Sequence, residues 1–276
     1  MGKENAGLRS HRKRIFYHFF RRNALLNFAA TMRNWTDATL LLAAHGSASH
    51  PEAAEEVSRL AEALRRRGSF AEVTVGFWRQ EPRLSADLMT GSRIFVLPYF
   101  SGLGKHTEIL IPQRLGLAGK VTRKGGTRIH YCDPIGCHPG LPALIRRRSL
   151  EFCRAEGIDA QGSALLLVGH GSTAGHASRT PEAIAATLRE LGGFSEVATA
   201  YLEQEPKAER WRDRVKSPDI LVQPLLLSAG MHASADLPAL FGGDKRVRLR
   251  PSVGTEAEII AMILDQVAAA EREQQA

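Results

Sequence analysis

Four histidines stand at matched places in this 276-residue chain. His45 and His170 each precede a Gly-Ser pair, and His106 and His232 each follow an apolar run interrupted by proline. Neutral imidazole ligates divalent transition metals and exchanges protons near neutral pH, so paired histidines suit metal binding and proton transfer. Glu203 adds a carboxylate beside the second pair, whereas Arg79 holds the matching place beside the first. Two imidazoles and a carboxylate from His170, Glu203 and His232 suit Fe, Co, Ni or Zn in the divalent state. A single strand-end histidine is more often a hydrogen-bonded surface residue. Here both copies keep both histidines while neighbouring residues differ, which favours a metal role for His45, His106, His170 and His232.

Smaller features accompany them. Gly46 and Gly171 allow close approach of backbone or ligand. Ser47 and Ser172 can cap nearby backbone donors and are expected to face the substrate. His50 and His176 read as solvated loop residues. Glu81 and Glu205 precede prolines, and an X-Pro step in a turn is expected to start the following helix. Cys132, Cys137 and Cys153 form an odd set without a CxxC pair, which argues against both a secreted disulfide framework and a thiolate site with His138.

The elements that must position the histidines repeat as well. Residues 39–47 (TLLLAAHGS) match 164–172 (ALLLVGHGS), 76–82 (GFWRQEP) match 200–206 (AYLEQEP), and 94–106 (IFVLPYFSGLGKH) match 220–232 (ILVQPLLLSAGMH). The offsets are 125, 124 and 126 residues. In the first copy, strands are expected over 39–44, 72–78, 93–98 and 127–132, with helices over 51–67, from 84, after 98, and over 146–156. The second copy repeats this with strands over 164–169, 196–202, 219–224 and 246–251 and helices over 181–191, 207–215, 235–240 and 255–273. Alternating strands and helices imply two tandem flavodoxin-like α/β lobes, each a parallel sheet covered on both faces and related by internal duplication. The expected lobes span 37–160 and 161–276. A 2-1-3-4 strand order would bring the two histidines of each copy together beyond the carboxyl ends of neighbouring strands, where open sheets bind ligands.

Charge bears on partners. The formal net charge is +8, yet residues 1–36 hold eight Lys and Arg against Glu4 alone, so the remaining chain is almost neutral. That segment reads as a disordered basic tail or an over-long start, with an organelle transit peptide or membrane-surface helix as other readings. A nearly neutral body gives no reason to expect nucleic acid as a partner. No apolar run approaches the roughly 18–20 residues of a membrane-spanning helix, and a cytoplasmic location is expected.

These motifs, in this order, resemble the sirohydrochlorin cobaltochelatase and ferrochelatase family, the class II chelatases. The resemblance rests on the strand-HGS motif, the strand ending before Glu203, and the segment Gly230-Met231-His232 through Asp236 to Pro238. It covers about 38–270. It implies two lobes with a tetrapyrrole in the cleft between them, and insertion of Co²⁺ or Fe²⁺ as a substrate metal without a permanent cofactor. His170, Glu203 and His232 match the catalytic and metal-holding positions, with His45 and His106 opposite. The first copy departs from the pattern at Arg79, Lys105 and Leu110, and Arg79 and Lys105 are expected to bind substrate carboxylates instead. One chain supplies both lobes, so a monomer suffices in principle. A non-catalytic carrier of metal or tetrapyrrole on the same fold is the alternative. A histidine phosphatase would need arginine where Ala44 and Gly169 stand, and no glycine-rich phosphate loop supports a nucleotide-binding module.

Overall fold

A computed structural model describes residues 34–47, 52–172, 179–227, 235–255 and 258–273. The tail over 1–33, His50, His176 and His232 lie outside the described residues.

Strand β1 spans Trp35–Ala44, and from Ala38 onward its side chains are buried, as a central parallel strand covered on both faces requires. It starts before residue 37, because Trp35 is already core, stacked on Phe70 with ring centroids 5.3 Å apart. Helix α1 (Glu52–Arg67) leads to β2 (Phe70–Phe77), and β3 follows over Arg93–Tyr99. β1 pairs in parallel with both β2 and β3, and β3 with β5 (Thr127–Tyr131). With β4 (Val121–Lys124), the sheet order is β2-β1-β3-β5-β4, the expected order plus one edge strand. That extra strand pairs antiparallel with β5. Its turn was readable in the sequence: Gly125 and Gly126 both take positive φ, as a two-residue hairpin turn of the primed type demands.

The second sheet contains β6 (Ala164–Gly169), β7 (Glu196–Tyr201), β8 (Ile220–Pro224) and β9 (Val247–Leu249), in the order β7-β6-β8-β9. All its pairings are parallel. In the first lobe one π-helical turn (His106–Leu110) and a short α2 (Ile111–Leu115) follow β3. In the second, α4 (Arg179–Leu191) follows β6 and α5 (Leu237–Phe241) precedes β9. The expected helix over 207–215 is a 3₁₀ segment, Ala208–Asp213.

The closing helices cross between the lobes. α3 (Leu141–Ala155) ends the first repeat but packs on α4 of the second, where Arg146 Nε donates to the Gly192 carbonyl at 2.7 Å. α6 (Ile259–Arg272) ends the second repeat but lies against β3 and β5 of the first. There Gln266 Nε2 donates to the Pro134 carbonyl at 3.1 Å, and Trp35 Nε1 donates to Glu271 at 3.3 Å. One hydrophobic cluster therefore runs from Leu40 and Leu97 through Leu144 to Leu165, Leu188 and Ile263. The lobes share a core, which fixes their mutual orientation through packed side chains that resist deformation.

Candidate metal centre

The carboxyl ends of the central strands build the site. Past the last ladder pair, Trp78 N still donates to the Ala44 carbonyl (2.9 Å) and Arg79 N to the His45 carbonyl (2.8 Å). In the second lobe Leu202 N and Glu203 N make the same bonds to Gly169 and His170, at 3.1 and 2.8 Å. This extension of the parallel ladder is what sets Arg79 beside His45 and Glu203 beside His170.

The turn after each histidine is built alike. Gly46 and Gly171 take φ of +64° and +81°, a region that favours glycine. A Cβ on Gly46 would come within 2.8 Å of Gln80 Cγ, and one on Gly171 within 2.7 Å of Gln204 Cγ. Those glutamines anchor the turns: Ser47 N donates to Gln80 Oε1 at 2.7 Å, and Ser172 N to Gln204 Oε1 at 2.8 Å. Sequence reasoning passed over Gln80 and Gln204, although both lie inside the repeated Gln-Glu-Pro motif. The glutamates of that motif begin a turn, not a helix. Both Glu-Pro bonds are cis, and Glu81 and Glu205 accept from the backbone N–H of Arg83 (2.9 Å) and Lys207 (3.1 Å).

The turns also fix which imidazole nitrogen is available. His45 Nδ1 lies 2.9 Å from the Gly46 carbonyl and His170 Nδ1 3.2 Å from the Gly171 carbonyl. A carbonyl only accepts, so Nδ1 carries the proton and Nε2 of the neutral ring presents its lone pair. His170 Nε2 sits 3.8 Å from Glu203 Oε1. His45 and His106 have ring centroids 5.0 Å apart in an edge-on arrangement, the spacing of two imidazoles about one ion at metal–nitrogen bonds of ~2.0–2.1 Å. Trp78 and Phe100 frame His106, with centroids 5.5 and 5.8 Å away, and neither aromatic figured in the sequence reading of the site.

Burial and neighbouring cations disfavour protonation of the first-lobe pair. The His106 pKa falls to about 4, chiefly through burial, with further contributions from His45, Arg79 and Lys105. His45 is lowered as well, through desolvation on its protein side and through Arg79 and His170, against the opposing hydrogen bond to Gly46. His170 acts on His45 from the other lobe, so the first-strand histidines of the two lobes lie near one another. Of the expected site, His45, Ser47, Arg79, Lys105 and His106 gather beyond the strands of the first lobe, and His170, Ser172 and Glu203 beyond those of the second. Among the described residues no three His, Cys, Asp or Glu side chains form a metal-holding group. The cysteines take no part: all three are buried and free, and burial raises their thiol pKa values.

Two parallel-sheet lobes with imidazoles beyond their strand ends define a class II chelatase-like protein. Residues 39–152 and 164–270 each match the CbiX family model, and the chain belongs to the CbiX family. It is 32% identical over 222 residues to a probable sirohydrochlorin cobaltochelatase of Halobacterium salinarum, covering 72% of this chain and 75% of that protein. Among solved structures, a multi-domain Deinococcus radiodurans protein with structural similarity to chelatases superposes with a TM-score of 0.72 at 29% identity, over 85% of this chain. The present chain spans about half of that protein, 55% of its length. The sirohydrochlorin chelatase SirB of Bacillus subtilis, solved with cobalt, shares the fold, with a TM-score of 0.67 at 20% identity over 87% of this chain and 97% of SirB. No helix among the described residues is long and apolar enough to cross a membrane.

Proposed function

We propose that this protein inserts Co²⁺ or Fe²⁺ into sirohydrochlorin or a closely related tetrapyrrole, a step of cobalamin or siroheme biosynthesis. The observation that supports this reading is the pairing at the strand ends: His170 with Glu203 in the second lobe and His45 with His106 in the first, with His170 near enough to act on His45.

Metallation exchanges two pyrrole protons for one dication, so the site must hold a metal loosely and take up protons. His170 Nε2, Glu203 and His232 are the metal-delivering and catalytic set. A carboxylate lowers the cost of holding a dication, and imidazole accepts a proton near neutral pH. Arg79 and Lys105 disfavour a dication on the first-lobe wall, because like charges raise its electrostatic energy there. That wall contributes differently. His45 and His106 keep free lone pairs and serve as accessory ligands or in substrate placement, and Arg79 and Lys105 receive peripheral carboxylates of the macrocycle. Ser47 and Ser172 present hydroxyls at the cleft edge. Both walls come from one chain, so a monomer is sufficient, and the metal passes through as substrate.

The test is anaerobic incubation of the purified protein with sirohydrochlorin and Co²⁺ or Fe²⁺, following the absorbance of the metallated product. Turnover with either ion supports the function. Binding without turnover means a carrier, and absence of both overturns the reading.

A further inference from the structure

Several arginines among the described residues pair with acids. Arg93 holds Asp37, Arg147 and Arg148 hold Glu258, and Arg246 holds Asp244. Near the cleft Glu108 is taken by Arg179 of the second lobe, at 2.6 Å. By contrast Arg79, Lys105 and Arg114 make no ion pair or hydrogen bond to an acid among the described residues. Arg114, on α2, lies with its guanidinium carbon 4.7 Å from the centroid of the Trp78 ring. Trp78 in turn meets His106 edge-on, with centroids 5.5 Å apart. Trp35 and Trp211 are 1% and 0% exposed, whereas Trp78 is only half-buried. A guanidinium stacked on indole gains from the ring's negative face while its N–H edges stay open to an anion.

The matched sequence positions of the second lobe carry none of these residues. By repeat alignment Leu202 stands for Trp78, Glu203 for Arg79, Met231 for Lys105 and Leu240 for Arg114. Three cations without counter-charges on one wall raise the local positive potential, which is lowered when anions bind.

We propose that Arg114, held flat on Trp78, joins Arg79 and Lys105 in a carboxylate-binding rim on the first lobe. The rim selects tetrapyrroles with acid groups all round their edge over macrocycles with few. Arg114 contacts substrate carboxylate, and Trp78 is a positioning residue acting through it. The inference rests on the tetrapyrrole reading of the cleft.

The test is metal-free titration of sirohydrochlorin into the full chain, at low and high salt, alongside a dicarboxylate porphyrin. Arg114→Gln is expected to raise the sirohydrochlorin Kd about two- to fivefold, the size of one exposed ion pair. It should flatten the salt dependence, raise KM with kcat unchanged, and leave porphyrin binding nearly as it was. Trp78→Leu should reproduce this loss, and adding Arg114→Gln to it should cause little more, since both act through one contact. Trp78→Phe keeps an aromatic face and should bind like the parent protein. Arg114 is exposed, so its loss should leave the unfolding midpoint in place. An unchanged Kd and salt slope for Arg114→Gln, in a protein that does bind and metallate sirohydrochlorin, overturns the rim and leaves Arg114 as a cover for Trp78. Failure of the parent protein to bind sirohydrochlorin at all overturns the function instead.

Discussion

The two lobes have the same strand order, the same histidine turns and the same glutamine anchors, yet their walls carry opposite chemistry. Beside His45 stands Arg79, with Lys105, Trp78 and Phe100 close by. Beside His170 stands Glu203, at 3.8 Å, and Leu202 and Leu226 hold the sequence places of Trp78 and Phe100. A dication is favoured near the carboxylate, and a flat polyanion is favoured near cations and aromatic faces. The duplicated frame thus supplies two copies of one scaffold, and on the proposed function few side chains per copy divide metal handling from macrocycle binding.

The sharpest way to break this comparison is to assay His45→Ala, His106→Ala, His170→Ala and His232→Ala side by side with Co²⁺ and sirohydrochlorin. Loss of His170 or His232 should lower metallation by roughly 10²–10⁴-fold, the scale of a lost proton-transfer group. His45→Ala and His106→Ala should cost less. Activity lost only in the His45 and His106 variants would exchange the roles of the lobes.

Exchanging the residues beside the first-strand histidines probes the same contrast. Glu203→Gln preserves size and removes charge, so kcat should fall while the unfolding midpoint holds, because the side chain is half exposed at a strand end. Neutralising Arg79 and Lys105 together should instead raise KM a fewfold and weaken its salt dependence. If the first change moves only KM, or the second only kcat, the division of labour is wrong.

The turn glycines should behave alike in stability and differently in catalysis. Gly46→Ala and Gly171→Ala both place a Cβ on a positive-φ residue and against a glutamine, at 2.8 and 2.7 Å. Each should cost about 1–3 kcal/mol by chemical denaturation. Only Gly171→Ala should also remove most turnover in what folded protein remains.

The smallest expected effect concerns acid. Folded His106 resists protonation until about pH 4, while the unfolded chain binds that proton near the ordinary 6.5. The unfolded state therefore holds more protons between those values, and stability contributed by neutral His106 is lost as pH falls through that window. His106→Gln should shrink the acid-induced drop in urea midpoint between pH 7 and 4. An identical drop in both proteins would show that the first-lobe pair is not held neutral.

Much of this was legible in the chain. The repeat announced both lobes because its motifs are short and collinear, and buried parallel strands leave unbroken apolar runs such as 39–44 and 164–169. The strand order, the placing of His45, His170 and Glu203 at strand ends, and that of His106 beyond the third strand followed from them. Other features hid in plain view. Gly125-Gly126 marked a hairpin that was read through, and Gln80 and Gln204 were seen as spacing instead of anchors.

What the sequence determined by itself is the set of local facts: element types, the glycine turns, and which residue follows each strand. These depend on neighbours a few positions away, so pattern and propensity report them. Only the tertiary structure decided that α3 and α6 are exchanged between lobes, that His45 senses His170, that Arg114 lies on Trp78, and that His106 loses its affinity for protons. Each of these arises where distant segments meet and exclude water. Desolvation and charge–charge energies depend on distances in space that residue order does not record.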